Sequence, residues 1–181
     1  TKTVFDQTRP EIDVKGNSAN IGDRVTYTLT IEPVPYYGGD YPVLNVVDTL
    51  SDGLDFTEGT LSVKVIDSED TVITLTSGTH YTFMSEEDLA AQDETGTFKV
   101  DFVVDGDYTL NDYEGDKVVI TYDATVTDAA AVNEVGNDND VVLNYTKDSK
   151  TTGNGGTDVD ETYTYTFEID GATTKGIITK V

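Results

Sequence analysis

The chain predicts an all-β Greek-key sandwich, and three observations carry that prediction. Apolar and polar residues alternate in segment after segment, the pattern of strands with one buried face. Thr, Val and Tyr are abundant, with Tyr alone occurring 11 times, and these residues suit pleated, half-buried surfaces. Turns rich in Gly, Asp, Asn and Ser separate the segments at short intervals. At 181 residues the chain is long enough to bury one sizeable core.

The first strand signal is Thr1-Lys2-Thr3-Val4, in which Lys2 shares a face with Val4. A turn at 15–18 (Lys-Gly-Asn-Ser) precedes a segment with Val25, Tyr27, Leu29 and Ile31 on one face and Thr26, Thr28 and Thr30 on the other. After the turn Tyr37-Gly38-Gly39-Asp40, the segment 44–50 places Leu44, Val46, Asp48 and Leu50 together, and Ser51-Asp52-Gly53 closes it. Segments 60–66, 71–76, 97–104, 117–127, 139–145 and 162–169 repeat the alternation, with further turns at 105–107 and 114–116. Ser85–Gln92 is the one helix signal: Ser85 can cap it, and Glu86, Glu87 and Asp88 suit the positive end of its dipole. Residues 150–157 read as a flexible loop, after which Tyr163, Tyr165, Phe167 and Ile169 alternate along a last strand. We therefore expect one sandwich domain over 1–170. Residues 171–181 are too few for a core and are expected to be an extension, such as the first strand of a following domain.

Charge narrows the partners. With 35 acidic and 11 basic residues the net charge is −24, which repels nucleic-acid phosphates and anionic lipid. Cysteine is absent, which removes disulfides and thiolate metal sites. No stretch is apolar enough to span a membrane, and no signal peptide or Leu-Pro-x-Thr-Gly sorting motif occurs. The chain opens inside a strand pattern without an initiator Met, so the expectation is a segment of something longer.

Three polar residues break the apolar faces. Lys2 lies with Val4, Asp48 with Val46 and Leu50, and Asn139 with Val141, Leu143 and Tyr145. Singly, each has an ordinary account: Lys2 can extend its amine to water, Asp48 can cap a turn, and Asn139 can bond a loop. Three such groups aimed into one core are costly unless they satisfy one another. They do so if the Lys2 amine and the Asn139 carboxamide condense to an amide. Burial would hold Lys2 neutral and Asp48 protonated, and the acid would polarise the carbonyl as ammonia leaves. Asn137 shares the Asn139 face and is the second choice of acceptor. The reaction has no turnover, so the chain is not expected to be an enzyme, and it needs no cofactor.

The same pieces carry a family resemblance. Thr-Lys-Thr-Val (1–4), Ile-Gly-Asp-Arg-Val-Thr-Tyr-Thr-Leu-Thr (21–30), Val-Val-Asp-Thr-Leu-Ser-Asp-Gly-Leu-Asp-Phe (46–56), Val-Val-Ile-Thr-Tyr-Asp-Ala-Thr-Val (118–126) and Gly-Asn-Asp-Asn-Asp-Val-Val-Leu-Asn-Tyr (136–145) occur in order. With Thr-Tyr-Thr-Tyr-Thr-Phe-Glu-Ile-Asp (162–170), this set resembles the isopeptide-forming domains of Gram-positive pilus backbone subunits, most nearly their second domain. The resemblance implies an immunoglobulin-like (Cna-type) Greek-key sandwich with one short helix. It implies Lys2 as nucleophile, Asp48 as catalytic acid where many relatives have glutamate, and an asparagine of 136–139 as acceptor. It further implies a structural role in a pilus shaft or adhesin stalk, outside the cell and anchored to the wall, with neighbouring domains or pilus subunits as partners. A pilin lysine motif is not visible, since Tyr41-Pro42 is followed by Val43-Leu44-Asn45.

The alternative is a ligand-binding adhesin domain. Tyr36, Tyr37 and Tyr41 surround a glycine-rich turn that could stack on a host glycan or engage a matrix protein. The acids of 105–116, and Asp158 with Asp160, lack the ligand spacing of a calcium loop, and no metal site is expected. His80, the one histidine, has no serine, cysteine or metal-ligating companion in the sequence pattern.

Overall fold

The computed structural model describes residues 1–4, 15–34, 42–104, 110–132, 135–147 and 155–166. In chain order the described strands are β1 (Lys2–Val4), β2 (Gly16–Ser18), β3 (Arg24–Ile31), β4 (Leu44–Leu50), β5 (Leu54–Phe56) and β6 (Ser62–Ile66). They continue as β7 (Val72–Thr74), β8 (Tyr81–Ser85), β9 (Phe98–Phe102), β10 (Lys117–Val126), β11 (Asn137–Thr146) and β12 (Gly155–Tyr165). Two sheets form. One runs β1-β3-β10-β6-β7, with β5 also pairing β10; the other runs β2-β12-β11-β4-β9-β8. All named pairs are antiparallel except β2 with β12. The chain crosses between sheets from β3 to β4 and back from β4 to β5, which is the expected sandwich.

Side-chain alternation explains where the core sits. In β10 and β3 every second residue is buried, so Val118, Ile120, Tyr122, Ala124 and Val126 face inward with Val25, Tyr27, Leu29 and Ile31. Each fully buried Val, Leu or Ile contributes about 1.5–3 kcal/mol of apolar transfer free energy. The middle of the core is aromatic. Tyr27 stacks on Tyr122 at 5.4 Å, and Phe98 meets the Tyr122 ring edge-on at 4.9 Å.

Several elements differ from expectation. The helix signal at Ser85–Gln92 yields α1 over Glu86–Ala90 only, capped by Ser85 and Asp88 in a reciprocal box and burying Leu89. The chain then reverses through Asp93 (φ 58°) and brings Gly96 against β4, where a Cβ would lie 2.6 Å from Val47 Cγ1. The turn read at 15–18 is largely strand: β2 pairs with β12 through Gly16–Ser18. The last strand begins at Gly155 instead of 162, because β11 offers ten consecutive positions for backbone pairing whatever the side chains. Its first half carries a single apolar residue, the exposed Val159, so alternation could not reveal it. Part of the 105–116 stretch forms a short 3₁₀ helix, Leu110–Tyr113. Residues 167–181, and with them the expected extension, lie outside the described residues.

Candidate functional site

Three strands from two sheets build the site. Asn139 on β11 pairs with Leu50, and Val141 pairs with Asp48, so Asp48 and Asn139 are diagonal neighbours on the inner face of one sheet. Lys2 comes from the opposite sheet, where β1 pairs it with Leu29. All three side chains are fully buried. The Lys2 amine stands 2.7 Å from Asp48 Oδ2 and directly against the Asn139 side-chain oxygen. It also lies 5.7 Å from the centroid of the Tyr27 ring on the neighbouring strand.

Tyr122 completes the arrangement. Its hydroxyl donates to Asp48 Oδ1 at 2.8 Å and accepts from Asn139 Nδ2 at 2.7 Å. Buried tyrosine hydroxyls require partners, and the two partners here are the acid and the carboxamide singled out from the sequence. Tyr27 is anchored in turn by Thr164, with 2.8 Å between their hydroxyl oxygens.

Burial sets the protonation. Desolvation pushes the Lys2 amine below the usual lysine value, although Asp48 pulls it upward. Desolvation likewise raises Asp48, against the opposing pull of Lys2 and the Tyr122 hydrogen bond. Both shifts favour a neutral amine beside a protonated acid. Burial also raises Tyr27, to about 12, and Tyr122 well above its ordinary range, so both phenols keep their protons. An amine at contact distance from a carboxamide, with a carboxyl on the amine, is an arrangement suited to amide exchange with loss of ammonia. The carboxyl reaches the amine and the Tyr122 hydroxyl, not the carboxamide oxygen that the sequence reading expects it to polarise.

The start of β1 is held by a second set of residues. The Lys2 backbone N–H donates to Asp160 Oδ2 at 2.8 Å, and the Lys15 amine donates to the Lys2 carbonyl at 2.7 Å. Lys15 and Asp160 close the ring at 2.5 Å. This three-residue strand is thus hydrogen-bonded to β3 on one side and latched to β12 on the other.

Asn137, the second choice of acceptor, is buried on the same face but otherwise engaged. Its Oδ1 accepts from the Ala131 backbone at 2.7 Å, and its Nδ2 donates to the Thr164 carbonyl at 3.0 Å. Tyr36, Tyr37 and Tyr41 lie outside the described residues. His80 Nδ1 accepts from the Thr76 backbone at 2.9 Å, closing a turn. Among the described residues, no three acids or histidines are grouped to hold a metal ion. No helix there is long and apolar enough to cross a membrane.

No family model and no curated protein sequence matches the chain. Solved structures do. A modular three-domain backbone pilin of Streptococcus pyogenes superposes with a TM-score of 0.63 and 21% identity, over 91% of this chain and 35% of its own. The full-length RrgB pilus protein of Streptococcus pneumoniae gives 0.55 and 25%, over 86% of this chain and 24% of its own. The fold is that of Gram-positive backbone-pilin domains. The chain spans well under half the length of either pilin. It is also similar to the collagen-binding subdomain of the Enterococcus faecalis surface protein ACE, at 0.56 and 12%, over 84% of this chain and 94% of that one.

Tyr122, Asp160 and Lys15 were not singled out from the sequence for the roles they hold here. For Tyr122 the signal was present: alternation along 118–126 turns it inward, and an inward tyrosine needs a polar partner. Asp160 carried no such signal, because half-exposed acids are common in so acidic a chain.

Proposed function

We propose that this chain is a load-bearing domain of a Gram-positive surface structure, a pilus shaft or adhesin stalk, whose sheets are joined by a self-formed amide between Lys2 and Asn139. Asp48 is the acid that assists the reaction. The observation that carries this reading is the fully buried contact of the Lys2 amine with the Asn139 side-chain oxygen, beside the Asp48 carboxyl. The likeness in fold to backbone pilins supports the structural role and the cell-surface location.

The Lys2 lone pair attacks Asn139 Cγ while Asp48, in contact with the amine, takes up the proton that the amine gives up. The new C–N bond forms, the Cγ–Nδ2 bond breaks and one ammonia departs. Each molecule reacts once, so the domain modifies itself and catalyses nothing else. The partners are neighbouring domains of the same surface protein or the next pilus subunit. Because β1 lies at the chain start and β11 near its end, the bond encloses 137 positions of sequence. A covalent closure of that span stabilises by about 5 kcal/mol through lost chain entropy in the unfolded state. It also stops the sheets from parting when tension enters through the termini.

The test is the intact mass of the denatured protein against the mass of its sequence. A deficit of one ammonia supports the reading, and a full mass refutes it. A second reading, a matrix-binding domain, draws on the likeness to the collagen-binding subdomain. It predicts collagen binding that is lost when Tyr36, Tyr37 and Tyr41 are replaced by alanine.

A further inference from the structure

The condensation needs two proton transfers. The amine must lose a proton as it becomes an amide nitrogen, and the departing nitrogen must gain one to leave as ammonia rather than as an amide anion. Asp48 touches the first of these atoms: its Oδ2 is 2.7 Å from Lys2 Nζ. The group placed on the second is the Tyr122 hydroxyl, 2.7 Å from Asn139 Nδ2. The same hydroxyl is 2.8 Å from the other carboxyl oxygen, Asp48 Oδ1. Nucleophile, carboxyl, phenol and leaving nitrogen therefore close a ring of hydrogen-bond contacts around the reacting carbon.

We propose that Tyr122 is a catalytic residue of this reaction, the proton donor to the departing ammonia, fed by Asp48. This inference rests on the cross-link reading above. In the starting state the planar carboxamide nitrogen donates to the phenol. Once Nζ has added to Cγ, that carbon is tetrahedral and Nδ2 carries a lone pair, so the hydroxyl rotates to donate to it. Nζ gives a proton to Asp48 Oδ2; the carboxyl proton, borne on Oδ1 once the hydroxyl has turned away from that oxygen, passes to Tyr122; and Tyr122 gives its own to Nδ2. The Cγ–Nδ2 bond breaks, ammonia leaves, and carboxyl and phenol are both restored. Amine plus carboxamide becomes amide plus ammonia, with no outside donor or acceptor. The buried site suits such a closed circuit, because a charge left anywhere along it would stand in a desolvated core.

The Tyr122 ring is held independently of its hydroxyl, stacked at 5.4 Å on Tyr27 and meeting Phe98 at 4.9 Å. Tyr122→Phe therefore keeps the ring packing and removes the hydroxyl with its contacts to Asp48 and Asn139; the fluorinated variant below, which keeps those contacts, separates proton transfer from positioning. The experiment follows full-length chain made by cell-free synthesis, stopped in denaturant at intervals, with the fraction that has lost ammonia read from intact mass. Tyr122→Phe is expected to slow the reaction by about 100-fold, the scale of general acid–base assistance, while circular dichroism stays that of the parent. A second variant carries 3,5-difluorotyrosine at position 122 alone, which makes the phenol more acidic at nearly constant shape. Its rate should differ measurably from the parent rate, which a purely packing role for the ring would not produce. Parent-like rates in both variants overturn the proposal. If Tyr122→Phe misfolds, the difluorotyrosine rate decides alone. A parent chain that never loses ammonia refutes the cross-link itself, a different outcome from a parent that reacts with no need of the hydroxyl.

Discussion

Two asparagines stand two positions apart on β11, on the same inner face and both buried, yet their surroundings differ at every polar atom. Asn137, at the strand start, has its carboxamide taken up by backbone: it accepts from Ala131 and donates to the Thr164 carbonyl. Gly53 packs so closely against it that a Cβ there would fall 2.0 Å from its Oδ1. Asn139 meets side chains instead, with the Lys2 amine on its oxygen and the Tyr122 hydroxyl on its nitrogen. Identical chemistry at the two positions is thus turned to two ends. One amide joins a loop to the sheet through hydrogen bonds, and the other faces a nucleophile. On the proposed reading, burial alone does not make an asparagine reactive; what sets Asn139 apart is an amine on its oxygen and a hydroxyl on its nitrogen.

The sharpest way to break the comparison is to remove each asparagine in turn. Asn139→Ala should abolish the loss of ammonia and lower the melting temperature by roughly 10–20 °C, from the lost closure of about 5 kcal/mol. Lys2→Met should match it in mass. Asn137→Ala should keep the ammonia deficit intact. It should still cost roughly 2–3 kcal/mol, because the Ala131 N–H and the Thr164 carbonyl lose their partner. An Asn137→Ala chain with full mass would reverse the assignment of the two residues.

A third prediction concerns the buried amine. In Asp48→Asn no acid assists, and the mass should show the unreacted chain. Lys2 is then buried without the Asp48 carboxyl that pulls its pKa upward, so desolvation holds that pKa below the usual 10.5 in the folded state only. Over the window beneath 10.5 the unfolded chain binds a proton that the folded chain does not, so stability rises with pH there. The stability gap between Asp48→Asn and Asp48→Asn/Lys2→Met should accordingly narrow as pH climbs toward 10.5, as denaturant melts at several pH values would show. A gap that widens with pH would contradict the burial account.

The smallest effect belongs to the latch on β1. The Lys15–Asp160 pair is partly exposed, and such pairs contribute below about 1 kcal/mol. Lys15→Met should leave the melting temperature of the reacted protein nearly unchanged. It should slow bond formation a few-fold, because Lys2 is held less firmly before the bond exists. Time-resolved intact mass would show it, and an unaltered rate would make the latch irrelevant to the chemistry.

How much of this was legible in the sequence follows from what alternation can and cannot carry. Period-two patterning exposed the sandwich and the three inward polar residues, because Lys2, Asp48 and Asn139 each interrupt an apolar face. It could not separate Asn137 from Asn139 by environment, since most of the groups that distinguish them come from other strands: Lys2 on β1 and Tyr122 on β10 at Asn139, and Thr164 on β12 at Asn137. Tyr122 stayed hidden for the opposite reason: an aromatic on an apolar face looks like core, and only its hydroxyl reaches Asp48 and Asn139. Asp160 and Lys15 act through backbone atoms of Lys2, a contact set by β1 lying beside β12 rather than by any local pattern. The early start of β12 and the pairing of β2 are likewise products of backbone hydrogen bonding between strands, to which side-chain identity contributes little.

One measurement tests the central claim most directly: fragmentation of the branched peptide from a proteolytic digest of the denatured protein, read for the residue that carries the branch. The account predicts a peptide containing Lys2 joined to one containing both asparagines, lighter by one ammonia, with the branch at Asn139 and Asn137 unmodified. Separate peptides of full mass, or a branch at Asn137, would contradict it.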